Sequence, residues 1–432
     1  MKHKIFFTLI IFILGVWAVS CAQDPIFYII STEKPLQKAY IPGTPTKMAV
    51  FEREYSDPDP LSPPGSKIKI PILYVASGTK LHWYAKEGQT VSQSPGVSKW
   101  DLSEYSIPQP TGKIIDIAAA GDCLYALCQN ENSLDATLRY IKNDGNKWEP
   151  ISPGDIGEYT VIQTIFADPE KEHVFAGASN KTVTSYAILY LNNSGSGPQL
   201  ELLESNTELL NGAAFKDNKY FLATNGKGIY RVDVDTTGIN TATKKQFEDN
   251  SDDKKNDRLF KGIIRLDDGT IIAVERGDGS LNSALYEVED DSFSRMKYTG
   301  TGNNITVGPY STGALALWKN PQNEDIKILT VGLQTNLYSD TSYTNGYVEF
   351  ELNADGSFNK DKVRENLPSV TVHGNTERYT TSIGQNSINY MFQAPDKIDK
   401  EMTFFASTHK DGLWSYRFID GEWQWNAETN ER

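Results

Sequence analysis

"YFLATNGKGIYRVDV" (residues 220–234) and "FFASTHKDGLWSYRF" (residues 404–418) can be laid on one another, and that match decides the fold. Each begins with a dense apolar run ending in small residues. A polar turn and a glycine follow, and then a segment in which aliphatic or aromatic residues alternate with polar ones. A short, nearly continuous apolar run suits a strand buried on both faces. Period-two alternation suits a strand with one face towards the core and one towards water. Each stretch therefore reads as a hairpin whose first strand is the deeper.

The same pair recurs along the chain. The apolar runs are "ILYVAS", "CLYALC", "HVFAGAS", "YFLATN", "TIIAVE", "KILTVGL" and "TFFAST", anchored at Tyr74, Tyr125, Phe175, Phe221, Ile272, Thr330 and Phe404. Successive anchors are 51, 50, 46, 51, 58 and 74 residues apart. The partners are "KLHWYA", "TLRYIK", "SYAILYL", "GIYRVDV", "ALYEVE", "GYVEFEL" and "GLWSYRF". Several units add a tight turn and an aromatic that opens a third strand. Asp144-Gly145 leads to Trp148, Asp355-Gly356 to Phe358 and Asp420-Gly421 to Trp423, with Asp290-Asp291 before Phe293 as a weaker copy. Asp-Gly between alternating segments is a strong hairpin signal, because both residues tolerate positive φ. Helical patterns are nearly absent, "TELLNGAAF" being the best and short. Seven small antiparallel sheets of about 50 residues each imply an all-β, seven-bladed β-propeller. Six or eight blades stay open, since the spacing of 74 has room for another.

The N-terminus speaks to compartment. "MKHKIFFTLIIFILGVWAVSC" has a basic start and an apolar core from Ile5 to Val19. Such a core is short of the roughly 20 residues a membrane-spanning helix needs, and the pattern is that of a secretory signal peptide. Ala18-Val19-Ser20-Cys21 resembles the lipobox of bacterial lipoproteins, in the looser spirochaete form. That resemblance implies cleavage after Ser20 and lipid attachment at Cys21. It also implies a membrane partner through the anchor and a place in the cell envelope, at the outer membrane, facing the periplasm or the exterior. No aspartate follows Cys21; Ala22 stands there. The expected layout is a signal peptide over 1–20, a lipidated tether over 21–45 rich in proline and turns, and a propeller over 46–432. As a whole the chain resembles the propeller lipoproteins of diderm bacteria, by pattern rather than by signature motifs.

Composition narrows the chemistry. The precursor has a net charge of −14, and −16 once Lys2 and Lys4 leave with the signal peptide. Such a surface repels nucleic acid. With five histidines, no G-x-S-x-G, no H-E-x-x-H, no phosphate-cradling glycine loop and no calcium-loop spacing, no cofactor or metal is expected. Cys123 and Cys128 lie five apart on one strand, hence on opposite faces, and read as two buried thiols. "DNSDDKKND" from Asp249 reads as a solvated insertion between units four and five.

Function is less legible. Turns between the first two strands of the hairpins share one rim, where propellers usually bind. They carry Asn225 and Lys227, Arg276 and Asp278, the long "QTNLYSDTSYTNG" loop with Tyr338 and Tyr343, and His409, Lys410 and Asp411. Mixed polar and aromatic groups of this kind suit a glycan or protein ligand. Arg276-Gly277-Asp278 spells the integrin tripeptide, yet by average usage it occurs by chance in roughly 8% of chains this long. Glycine beside aspartate is also what a turn needs, so it reads as a turn first. The aromatic-closed turns are similar to the Asp-boxes of sialidase-like propellers but lack the leading serine and the threonine. Three functions are weighed: a binding propeller, a glycan hydrolase of that type, and a scaffold for envelope assembly.

Overall fold

The doubly apolar second strands are the middle of each sheet, and everything else is arranged around them. In the computed structural model the described residues are 38–432, except 58, 89–97, 131–132, 169–171, 194–196, 237, 252–256, 277–282, 309–311, 321–322, 335–344, 367–382, 384–385, 420 and 430–432. Cys21, Asp278, Tyr338 and Tyr343 lie outside them. The described residues form seven sheets, antiparallel but for two short parallel edge pairs, and no α-helix; one 3₁₀ turn, Ser103–Tyr105, is the exception to strand and loop. The protein is a seven-bladed β-propeller.

Each blade is built on a meander of four strands, to which blade three adds Ser152–Pro153 and blade five adds Glu248–Asp249 and Thr306–Gly308. The innermost strands are Ala49–Ser56, Lys113–Ala120, Val161–Ala167, Leu210–Lys216, Phe260–Arg265, Thr312–Asn320 and Ile388–Gln393. The second strands are Lys67–Ser77, Cys123–Gln129, Val174–Ser179, Lys219–Thr224, Ile271–Glu275, Asn323–Leu333 and Phe404–Thr408. Every apolar run picked from the sequence falls on a second strand, and its alternating partner on the third. "TELLNGAAF" is not helical: it spans the turn into the inner strand Leu210–Lys216. The spacing of 74 hides no eighth blade; among the described residues it holds the third and outer strands of blade six and the inner strand of blade seven.

Seven apolar clusters among the described residues occupy the seven interfaces between blades. Alternation along one strand feeds two of them. Tyr74 and Ala76 pack with Ile114 and Ile117 of blade two, whereas Leu73 and Val75 pack with Phe405 and Leu413 of blade seven. This is why the second strands are apolar on successive residues: both faces are buried. The two cysteines obey the same rule. Cys128 belongs to the interface of blades one and two, while Cys123 packs at that of blades two and three and is half-buried rather than buried.

Ring closure depends on the chain just before blade one. The compact body runs from Ala39, so residues 39–45 belong with it rather than with a free tether. Ile41 is fully buried. Its carbonyl accepts from the Leu413 N–H at 2.9 Å, and the Gly43 carbonyl from the Gly412 N–H at 2.8 Å. Across the same seam Trp100 Nε1 donates to Glu428 at 2.9 Å, and Tyr84 Oη to Asp399 at 2.8 Å. Asp249 is also no part of a solvated insertion. It is 3% exposed and pairs with buried Arg258 at 2.6 Å, because Glu248–Asp249 joins the outer edge of blade five.

Candidate functional site: the axial channel

Inner strands of blades two to seven meet around the axis and leave a channel of about 950 Å³, closed on the side of blade one by residues 44–47 and Gly78. Glycines let them approach. A Cβ on Gly313 would lie 2.5 Å from the Ile388 carbonyl oxygen, and one on Gly212 3.1 Å from the Ile263 nitrogen. Because each sheet is an antiparallel meander, the starts of the inner strands share a rim with the turns between second and third strands.

The channel is polar at that rim and aromatic at its other end. Lys113 is the first residue of its inner strand; Asn211, Lys261 and Asn389 are each the second, and Gln163 is the third. Gln334, the first residue of the long loop, completes the set directly after a second strand and donates to Asn389 Oδ1 at 3.1 Å. At the far end Phe166, Phe215 and Phe392 are penultimate in their inner strands, with Phe175 and Tyr220 beside them. The Tyr220 ring lies 4.8 Å from both Phe175 and Phe215.

Halfway along, Lys47 Nζ sits 2.7 Å from Asp116 Oδ2 and 3.5 Å from the centre of the Phe166 ring. Asp116 also accepts from the backbone nitrogens of Ile117 at 3.0 Å and Ile165 at 2.9 Å. Burial pushes the Asp116 carboxyl above its usual range and the Lys47 amine below its own, while their mutual attraction opposes both shifts. Burial also raises the Tyr390 phenol, with the Asp116 carboxylate adding to the effect. Lys261 differs, since no acceptor for its amine exists among the described residues. Burial, and then the like charge of Arg276, lower its pKa to about 8.

The rim residues chosen from the sequence stand around this mouth rather than inside it. Lys227, His409, Lys410 and Asp411 are exposed, and Asn225 and Arg276 are half-buried. Asp411 bridges to Gly43, so the blade-seven turn is tied to the N-terminal strap. None of the six lines the channel; Gln334, the last described residue before the segment of Tyr338 and Tyr343, does. The channel groups were missed because they sit on inner strands, whose pattern is weaker. The available signal was a pair of polar residues in an otherwise apolar or small-residue strand, as in "KIIDIAAA", "VIQTIFA" and "FKGIIR".

No family model matches the chain, and no curated protein sequence matches it. Solved structures do. An ancestral GH74 enzyme is 14% identical with a TM-score of 0.52, over 91% of this chain and 47% of that one. YCF48 bound to D1 peptide is 10% identical with a TM-score of 0.46, over 90% and 98% of the two chains. The N-terminal domain of Nup159 is 8% identical with a TM-score of 0.39, over 88% and 96%. At such identities the likeness is one of fold. The class is a β-propeller; within it, this chain is one of seven blades around a channel with a polar mouth.

Proposed function

We propose that this chain is a lipid-tethered, extracytoplasmic β-propeller that binds a glycan or protein partner through its channel mouth and the rim around it. One observation carries the reading. Side chains from six of the seven inner strands converge on a cavity within the roughly 300–1,000 Å³ usual for ligand sites. Amides and lysines at the mouth supply directional contacts, and aromatic rings below supply apolar surface.

Binding is favoured over hydrolysis by the state of the carboxylates. Glycosidases need two carboxyl groups facing one bond. Of the two acids lining the described channel, Asp116 is held by Lys47 and two backbone N–H groups, and Asp168 lies just beyond the aromatic end of its strand.

The tether rests on the Cys21 motif, which ends a basic and apolar leader. A single acyl chain binds membranes only marginally, so a lipoprotein needs two or more. Cys21→Ser is expected to move the protein from the detergent phase to the aqueous phase on partitioning; retention in detergent would refute the anchor. For the channel, the full chain in detergent micelles is screened on glycan and peptide arrays. Ligands that lose binding in the Gln163→Ala, Asn211→Ala double variant support the reading, and ligands indifferent to it oppose it.

A further inference from the structure

We infer that the rim end of the channel is a carboxylate site built around Lys261, and that its ligand is a sugar acid; this rests on the channel-binding reading above. Lys261 projects from the second position of the blade-five inner strand and is half-buried. An ammonium removed from water without an acceptor is costly unless something else supplies the counter-charge. Among the described residues no carboxylate supplies it here. The charge acting on Lys261 is the like charge of Arg276, Asp116 is consumed by Lys47, and Asp168 is at the other end. In a chain of net charge −14, a mouth carrying Lys113 and Lys261, with no lining carboxylate beside them among the described residues, runs against the mean field of the protein.

The amides say which anion. Asn211 Nδ2 donates to the Phe260 carbonyl at 2.8 Å, Gln163 Nε2 to Ser179 Oγ at 2.8 Å, and Gln334 Nε2 to Asn389 Oδ1 at 3.1 Å. Each of these bonds uses one of the two amide N–H groups and leaves the side-chain carbonyl of Asn211, Gln163 and Gln334, beside the second N–H, to accept from a ligand. Phosphate, which offers chiefly acceptors, would leave those carbonyls facing oxygen. A sugar acid brings several O–H donors for them together with one carboxylate for the lysine. A charge-assisted hydrogen bond to that carboxylate is about twice as strong as a neutral one.

The test is titration calorimetry of the full chain in micelles with sodium D-glucuronate, D-glucose and inorganic phosphate. Glucuronate is expected to bind at least tenfold more tightly than glucose and more tightly than phosphate. Lys261→Met is expected to bring glucuronate down to the level of glucose, and Lys261→Arg, which keeps the charge, to retain most of the difference. Equal binding of glucuronate and glucose would overturn the carboxylate site while leaving channel binding intact. Phosphate binding as tightly as glucuronate would overturn the sugar assignment. Binding of none of the three would overturn the inference as a whole, with the array screen then deciding separately whether the channel binds at all.

Discussion

Replacing Lys261 by methionine should stabilise the protein at neutral pH, and the gain should vanish in alkali. The amine falls from 10.5 to about 8 on folding, chiefly through burial. At about 1.36 kcal/mol per pH unit, that shift amounts to about 3 kcal/mol of burial cost carried by the wild type. The sign follows from proton counting. Between pH 8 and 10.5 the unfolded chain holds a proton that the folded chain has lost, so wild-type stability rises with pH there. Below pH 8 both states are protonated and the full cost is present; above 10.5 neither is, and the cost is gone. A body of about 390 residues has an unfolding entropy near 0.8 kcal/mol/K at about 2 cal/mol/K per residue. Lys261→Met should therefore melt about 4 °C higher than wild type at pH 7, with the difference shrinking towards pH 10.5. Comparing the two pH values separates the charge from any gain in apolar packing, which does not titrate. Calorimetric melts read it directly. A variant less stable than wild type at pH 7, or a gain unchanged at pH 10.5, would refute the account of Lys261.

Three further outcomes follow from the packing. Gly313→Ala forces a methyl group against the Ile388 carbonyl and should cost about 1–3 kcal/mol, read as a lower melting temperature with no change of strand content by circular dichroism. Ile41→Ala removes a fully buried side chain from the strap at the seam of blades one and seven. It should cost about 2–5 kcal/mol, with amide exchange rising first in Leu413–Ile419, whose Leu413 N–H bonds to Ile41. The Cys128 thiol is buried and raised to about 11. It should resist iodoacetamide at pH 8 in the folded protein and react readily in 6 M guanidinium.

The blades were legible because their second strands obey a simple physical rule. A strand between two neighbouring blades has no polar face, so "CLYALC" and "YFLATN" stand out against any background. The glycines of the turns before Phe358 and Trp423 were legible for a different local reason, the need for positive φ, Gly356 and Gly421 having φ of +82° and +89°; Gly145 before Trp148 does not share it, and its backbone N–H instead closes a turn onto the Lys142 carbonyl at 2.9 Å. Inner strands were not, because in six of the seven blades they border the channel on one side and a close neighbour on the other. The resulting mixture of Gly212, Asn211 and Ala213 has neither period two nor an apolar run. The site was hidden for the same reason, being made of single polar residues from strands far apart in sequence. Rim turns such as Thr408–Gly412 were visible, since glycine and polar residues mark them, but a visible turn need not line a cavity. Asp249 was misread because a charged run near lysines looks solvated, and only tertiary structure supplies Arg258 as its partner.

If the channel mouth is where the partner binds, blocking it abolishes binding. Asn389→Trp places an indole at the mouth, where the side chain is half-buried and borders open space. Phe418→Ala, on the outer side of blade seven and 59% exposed, serves as the control. The affinity of both variants for the tightest array ligand is measured by calorimetry at matched melting temperatures. The account predicts at least a tenfold loss for Asn389→Trp and none for Phe418→Ala. Unchanged affinity with the mouth plugged would place binding elsewhere on the propeller and contradict it.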